Sequence, residues 1–388
     1  MMLSFKPVLL WSDALLFLLL AGVVALAWSM RHQDWFRDPW RQVMKSRLGA
    51  ASALVLSLFL AVGLLDSLHY RERLPDEPGR ANPQAQYSGE VLSAMDGLLT
   101  DLRTRTEKTY SAPLATHLYV KESMKGPDGR EARDYPPLQY PGTHLLGTDK
   151  VGQDVLYLSL KSIRTGLLIG TLTTLVLLPF AIVMGMAAGY FGGWVDDVIQ
   201  YVYTTLNSIP GVLLIAAAVL VVQVQIEARP ELFDTAAARA DVRLLALCAI
   251  LGLTGWTGLA RLLRGEALKL RELEFVQAAR AFGVGRLAIL MCHLLPNVMH
   301  LVLITVVIDF SGLVLAEAVL SYVGVGVDPA MNSFGNMING ARLELAREPV
   351  VWWQLFSAFV FMFVLVLAAN LFADRVRDAL DPRMERKA

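Results

Sequence analysis

Seven stretches of this chain are long, apolar and almost free of charge, at about residues 9–28, 48–65, 166–190, 211–226, 244–263, 298–320 and 350–372. About 20 apolar residues at ~1.5 Å rise each cross a hydrocarbon layer ~30 Å thick. In lipid every backbone polar group must be satisfied within the protein, so only helices and closed barrels span. Barrel strands alternate in polarity over about ten residues, and these runs do not. The expected fold is therefore all-α and polytopic, with about seven transmembrane helices. The 211–226 run is the shortest of the seven. Composition agrees, with 55% hydrophobic and 18% charged residues and 35 basic against 35 acidic side chains. That is too apolar for a disordered chain, and a net charge of zero gives no basic field for nucleic acid. Two cysteines, Cys248 and Cys292, exclude a disulfide framework and a Cys-rich metal site.

Basic residues in short loops orient the spans. Arg31, Arg37, Arg41, Lys45 and Arg47 follow the first run, and Arg261, Arg264, Lys269, Arg271, Arg280 and Arg286 follow the fifth. Arg375, Arg377, Arg383, Arg386 and Lys387 follow the last. Parity lets all three groups be cytoplasmic, which puts the N-terminus and residues 66–154 outside. Arg229, Arg239 and Arg243 near the outer loop 227–241 oppose this mildly, as does the absence of Lys and Arg from the inner loop 191–207.

The chain thus divides into 1–47 (first span and basic loop), 48–65 (second span), an extracytoplasmic segment 66–154, a core 155–373 containing a cytoplasmic loop 264–297, and a cytoplasmic tail 374–388. Two readings fit the first run. Ala25-Leu26-Ala27 suits a signal-peptide cleavage site, but the basic residues that follow oppose export and favour a retained span. Residues 66–154 are rich in Pro, Gly and charge. Within them Val91, Leu92, Met95, Leu98, Leu99 and Leu102 recur at helical spacing, predicting an amphipathic helix in a small ordered subdomain rather than a solvated spacer.

The chain contains no G-x-x-x-x-G-K-[ST] loop, no H-E-x-x-H and no G-x-S-x-G elbow. Its six histidines, His32, His69, His117, His144, His293 and His300, are scattered and read as surface or interface residues. Neither a cofactor site nor catalysis on this chain is expected.

The loop 264–297 is the informative stretch. Phe275, Ala278, Ala279 and Phe282 fall at i, i+3, i+4 and i+7, one apolar face of a short helix. Glu272, Glu274, Gln277 and Arg280 cover its other faces, and Gly283 suits a left-handed C-cap. Pro296 begins the return into the sixth span. Such a knob suits either docking in a partner's groove or lying on the membrane surface.

Here the sequence resembles the bacterial ABC-importer permeases, whose cytoplasmic loop carries Ala278-Ala279, Gly283 and Leu295-Pro296 in the same order. The subfamily it is similar to is the C-type permease of dipeptide, oligopeptide and nickel importers. Four further stretches carry the likeness. They are Gly147-Thr148-Asp149 with Gly152, Asp154, Val155 and Leu156; Gly189-Tyr190-Phe191-Gly192-Gly193-Trp194-Val195-Asp196; Ala316-Glu317-Ala318 with Leu320, Ser321, Gly324, Gly326, Ser333, Gly335 and Asn336; and Arg377-Asp378-Ala379-Leu380-Asp381-Pro382. The resemblance implies a six-helix permease core with one extra N-terminal span, in the bacterial inner membrane. It implies a heterodimer with a second permease, two ATPase subunits holding ATP and Mg, and an extracytoplasmic solute-binding protein. Glu274, Phe275, Gln277, Ala278, Ala279, Arg280, Phe282 and Gly283 then form the coupling helix that meets an ATPase. Gln277 stands where the family usually has Glu, and two spans precede the outer segment where the family usually has one.

Asp13, Asp309 and Glu317 lie inside apolar runs. An acid in lipid costs roughly 2.5–3.5 kcal/mol on insertion scales, so each should face protein or water. Asp309 and Glu317, eight residues apart, share a broad helix face. They suit a polar translocation path or, for Glu317 especially, an interhelical hydrogen bond or a permease–permease contact. Pro179 should kink the third span, and Gly185 with Gly189 permits close helix packing. A rival class is a secondary transporter or channel working without an ATPase, and another is a sensor with 66–154 as its ligand domain. No internal repeat supports the first, and the tail is too short for the signalling domain the second needs.

Overall fold

A computed structural model describes residues 5–31, 34–74, 87–125, 131–233 and 235–380. The chain begins with strand β1 (Phe5–Val8), helix α1 (Trp11–Met30), the short α2 (Asp34–Lys45) and α3 (Arg47–Asp66). The inserted segment follows, with strands β2 (His69–Glu72) and β3 (Leu92–Ser93), helices α4 (Ala94–Leu98) and α5 (Thr100–Thr104), and strands β4 (Glu122–Lys125) and β5 (Glu131–Asp134). The core consists of α6 (Val155–Phe191), α7 (Gly193–Ser208), α8 (Gly211–Glu227), α9 (Ala236–Gly255), α10 (Thr257–Leu270) and α11 (Glu274–Ala281). It continues with α12 (Arg286–Ala288), a π-helical turn Ile289–Leu294, α13 (Leu295–Val323), α14 (Phe334–Ala341) and α15 (Trp353–Leu380). The strands make two small antiparallel ribbons, one of which pairs β1 with the insert through β2.

Six helical stretches are long and apolar enough to span, and α7 with α8, bent by 88°, makes a seventh if the pair is one broken span. The expected all-α polytopic fold is thus observed. The runs understate their helices. The third grows to 37 residues because Asp154 caps it, its carboxylate accepting from the amides of Leu156 and Tyr157. The fifth extends over 236–270 and the sixth over 286–323, so the loop between them shrinks to 271–285. Residues 191–207, expected to be a link, instead form most of α7.

Side-chain contacts fix which helix ends lie together. Lys161 on α6 reaches Asp66 at the end of α3, and Arg164 reaches Asp13 on α1. Ser12 bonds Asp241 on α9, and Trp353 at the start of α15 donates to the carbonyl of Thr148. One end of the bundle therefore gathers the insert, the starts of α1, α6, α9 and α15 and the end of α3. At the other end Arg271, after α10, donates to the carbonyl of Gly189 on α6, and Trp40 of α2 lies 6.1 Å from Phe372 of α15. Helix α6 runs down the centre. A Cβ on Gly185 would stand 2.6 Å from the Ala260 carbonyl oxygen, and one on Gly189 would stand 2.6 Å from that of Arg264. The small residues thus seat α10 against α6, as their spacing predicted. Pro179 is carried within the unbroken α6.

Two local expectations fail. Residues 91–102 are not one amphipathic helix. Ser93 and Asp96 form a reciprocal capping box that starts α4 late, and Leu99, at φ −103° and ψ 27°, separates it from α5. Leu92 and Met95 are buried while Leu98 is exposed. Pro296 does not begin the return span but sits inside it. A proline ring crowds the carbonyl four residues back, and the π-helical turn immediately before α13 absorbs that misfit. The tail positions Asp381, Pro382, Arg383, Arg386 and Lys387 lie outside the described residues, as does His32.

Candidate functional site

The short helix α11 is locked on one side and open on the other. Its first turn carries Glu274, whose charge suits the helix N-terminus. Gln277 donates through Nε2 to the carbonyl of Glu272 at 3.0 Å, closing the turn from α10. At the C-terminus the amide of Val284 bonds the carbonyl of Ala279 and that of Gly283 bonds Arg280, both at 3.0 Å. This is a Schellman motif, and Gly283 takes the required left-handed φ of +78°. Val276 is wholly buried, and Ala279 packs beside it against Leu263, Ala267, Ile289 and Leu294. The guanidinium of Arg280 stands 4.9 Å from the centre of the Tyr190 ring.

The expected apolar face divides at this point. Ala279 turns into the core with Val276, in the cluster that also holds Leu263 and Ala267 of α10 and Ile289 and Leu294 of the π-helical turn. Phe275 and Ala278 stay exposed, and Phe282 is 87% exposed. Leu287 at 73% and Met291 at 62% continue the open surface beyond the helix. A rigid apolar prow of this kind is stable in water only because its other side is anchored. Basic groups flank it. Arg280 and Arg286 line a cavity of about 410 Å³ with Tyr190, Phe191, Val284 and Ile289.

The acids inside the spans separate into three environments. Asp13 is fully buried, with its carboxylate 2.6 Å from Arg164 and 2.8 Å from His69 Nδ1. Glu317 is also buried. It accepts from Ser321 Oγ at 2.7 Å and lies close to Gly335 of α14, where an added Cβ would stand 2.7 Å from its Oε1. Glu317 and Asp309 therefore do not share one open face. Asp309 is half-buried on α13 and makes no hydrogen bond or ion pair with the described residues.

Several charged residues escaped sequence reasoning because they lie just outside the apolar runs. Lys161 and Arg164 precede the run at 166, and Asp241 precedes the run at 244. With Asp66, Asp96, His69 and Arg103 they line a polar cavity of about 550 Å³ at the insert end. Capping residues and helix length would have drawn them into the spans. Two histidines are not surface residues. His69 joins Asp13, and buried His144 places Nδ1 2.9 Å from Asp154. Among the described residues no group of His, Cys, Asp or Glu could hold a metal ion.

Comparison with known proteins fixes the family. The profile of the binding-protein-dependent transport system inner membrane component matches residues 181–386, which include α11, α13 and the whole of α15. The chain belongs to that family. The oligopeptide transport system permease protein OppC of Mycobacterium tuberculosis is 34% identical to this permease over 246 residues, covering 63% of this chain and 78% of that protein. The glutathione transport system permease protein GsiD of Pectobacterium atrosepticum is 31% identical over 242 residues, 62% and 73% of the two chains. The dipeptide transport system permease protein DppC of Lactococcus lactis is 27% identical over 355 residues, 90% of this permease and 91% of that one. The last alignment takes in most of the region before Gly147. This protein is thus a permease of the ABC-importer class and a multi-pass component of the inner membrane.

Proposed function

We propose that this permease imports peptides or peptide-like solutes, driven by ATP hydrolysed on partner subunits. Its relatives named for oligopeptide, dipeptide and glutathione transport support the solute class. In the assembled importer a second permease completes the translocation path, two ATPase subunits hold ATP and Mg, and a solute-binding protein delivers cargo. The end bearing α2, α11 and the end of α15 is cytoplasmic and the insert end is extracytoplasmic. The basic loops around 31–47 and 261–286 support that orientation.

The observation that carries the reading is α11 itself. Val276, Ala279 and the Schellman turn fix it to the bundle, while Phe275, Ala278 and Phe282 stand free to enter a groove. Closure of the ATPase pair on ATP pushes this prow, and the push reaches the spans through α10 and the π-helical turn as rigid-body movement. The path between the two permeases then opens outward to take solute, and hydrolysis resets it. Glu274, Gln277, Arg280 and Gly283 shape and cap the prow. Asp309, half-open and unpaired with the described residues, is assigned to the path, where it would attract a solute ammonium. Glu317 is assigned to an internal tie between α13 and α14.

The test is the reconstituted complex in vesicles. ATPase activity should rise when a peptide-loaded binding protein is added. Phe275→Asp and Phe282→Asp should abolish that rise and the uptake of peptide while leaving the permease folded. Full stimulation and uptake in both variants would remove the coupling role. Asp309→Asn should slow uptake of peptides with a free amino terminus more than uptake of blocked ones, and equal rates would clear Asp309 of the path.

A further inference from the structure

The basic link between α1 and α3 has no place in the coupling scheme, although its geometry is well defined. Helix α1 ends at Met30 and α3 starts at Arg47, so the link must sit where the hydrocarbon layer meets water. Between residues 31 and 47 lie five basic residues (Arg31, Arg37, Arg41, Lys45 and Arg47) and two acidic ones. All five basic residues are exposed. Helix α2 does not project from the bundle. Val43 is buried, the Trp40 ring lies 6.1 Å from Phe372 of α15 with the two planes inclined at 36°, and Ser46 turns the chain into α3 by capping it through Gly49. This holds α2 along the membrane surface, with its basic side open.

Arg31, Arg37 and Arg41 meet Trp40 and Met44 around a shallow cleft of about 310 Å³. Three guanidiniums lining one cleft with an indole and a thioether match one kind of molecule at this depth. A phosphodiester pairs with guanidinium through charge-assisted bonds, and the glycerol and upper acyl chain lie on the indole and thioether. We propose that this cleft binds an anionic phospholipid of the adjoining leaflet. The lipid clamps α2 against α3 and α15, and so steadies the end of the bundle nearest the coupling helix. That the leaflet is cytoplasmic rests on the orientation proposed above, whereas the binding itself requires only a membrane.

The full-length permease, reconstituted in phosphatidylcholine bilayers, is probed with spin-labelled phosphatidylglycerol and spin-labelled phosphatidylcholine. The wild type should hold phosphatidylglycerol preferentially, and salt should erode the preference because surface charges are screened. Removing each guanidinium should weaken the preference about fivefold, so Arg41→Gln reduces it and the R31Q/R37Q/R41Q variant loses it. Lys269→Gln, exposed in the last turn of α10, should leave it unchanged. Soluble glycerol phosphate should not displace the lipid.

Three results would overturn the assignment. They are no preference in the wild type, a preference that survives the triple change, and displacement by glycerol phosphate. If the triple variant does not purify, Arg41→Gln and the salt series on the wild type decide the matter.

Discussion

At the insert end Lys161 sits between Asp66 and Asp96, Arg164 holds Asp13, and His144 bonds Asp154, all of them largely buried. At the opposite end Phe275, Phe282, Leu287 and Met291 face outward among arginines. The first end satisfies its charges within the chain. The second leaves apolar surface open and anchors only what lies behind it. A buried ion network costs desolvation and gains little over apolar packing, but it fixes which helix ends meet. Here it ties α1 and the insert to the core. An open prow gains nothing in stability and is useful only to a partner. The two ends should therefore respond to mutation in opposite ways.

The largest effect is expected at the ion network. Arg164→Leu leaves Asp13 with only His69 and should cost about 3–5 kcal/mol, read as a large fall in the thermal midpoint of the purified permease. Adding Asp13→Leu to it should recover part of that loss, because the unpaired buried charge goes too. A midpoint unmoved by Arg164→Leu would mean that this end is not held by its charges. Next comes the seam between α6 and α10. Gly189→Val must push away the Arg264 carbonyl and the Ala267 Cβ, each 2.6 Å from an added Cβ, and overpacking of this kind costs about 1–3 kcal/mol. An unchanged midpoint would show that the seam has slack.

The two ends also differed in how far the sequence revealed them. The apolar runs mark the spans, and the i, i+3, i+4, i+7 spacing with Gly283 marks the short helix α11 and its stop. Local rules suffice for a short capped helix, because its bonds are made within a dozen residues. They did not tell which side of α11 the core would take. Ala279 is buried and Ala278 is not, a choice set by α10 and the π-helical turn rather than by spacing. The ion network was out of reach for a different reason. Its partners are up to 229 residues apart, as in the bond from Ser12 to Asp241, and nothing in a linear pattern pairs them. Lys161 and Arg164 were also trimmed from their span, because hydropathy alone cannot follow a helix past its apolar stretch. Asp13 is an acid in an apolar run that should face protein or water; it faces protein, and only the fold supplies Arg164 as its partner.

A smaller effect separates the ends by pH. Burial opposes ionisation of Asp96 in the insert, but Lys161, the Ser93 amide and the Tyr157 hydroxyl outweigh it and hold its pKa below the ordinary 3.8. A depressed carboxylate stabilises the fold when ionised. That contribution is complete above pH 3.8 and is lost as the pH falls further, through the folded-state value. Acid unfolding of the wild type should therefore steepen below pH 3.8, and Asp96→Asn should flatten that part of the curve. Identical curves would place the acid-sensitive group elsewhere.

The smallest effect on stability is the most telling one for the open end. Phe282 is 87% exposed, and Asp at that position buries no charge and breaks no backbone bond. The Schellman turn is made by main-chain groups of Ala279, Arg280, Gly283 and Val284, so it survives the change. Phe282→Asp should move stability by no more than about 0.5 kcal/mol. Val276, one turn and a half away on the same helix, is wholly buried. Val276→Asp puts a charge into the core and should destabilise the permease strongly. Measuring both midpoints side by side tests whether α11 has one committed face and one free one. If Phe282→Asp destabilised as much as Val276→Asp, the phenylalanine would be part of this chain's own packing, and the contrast between the two ends would fail at the residue where it is sharpest.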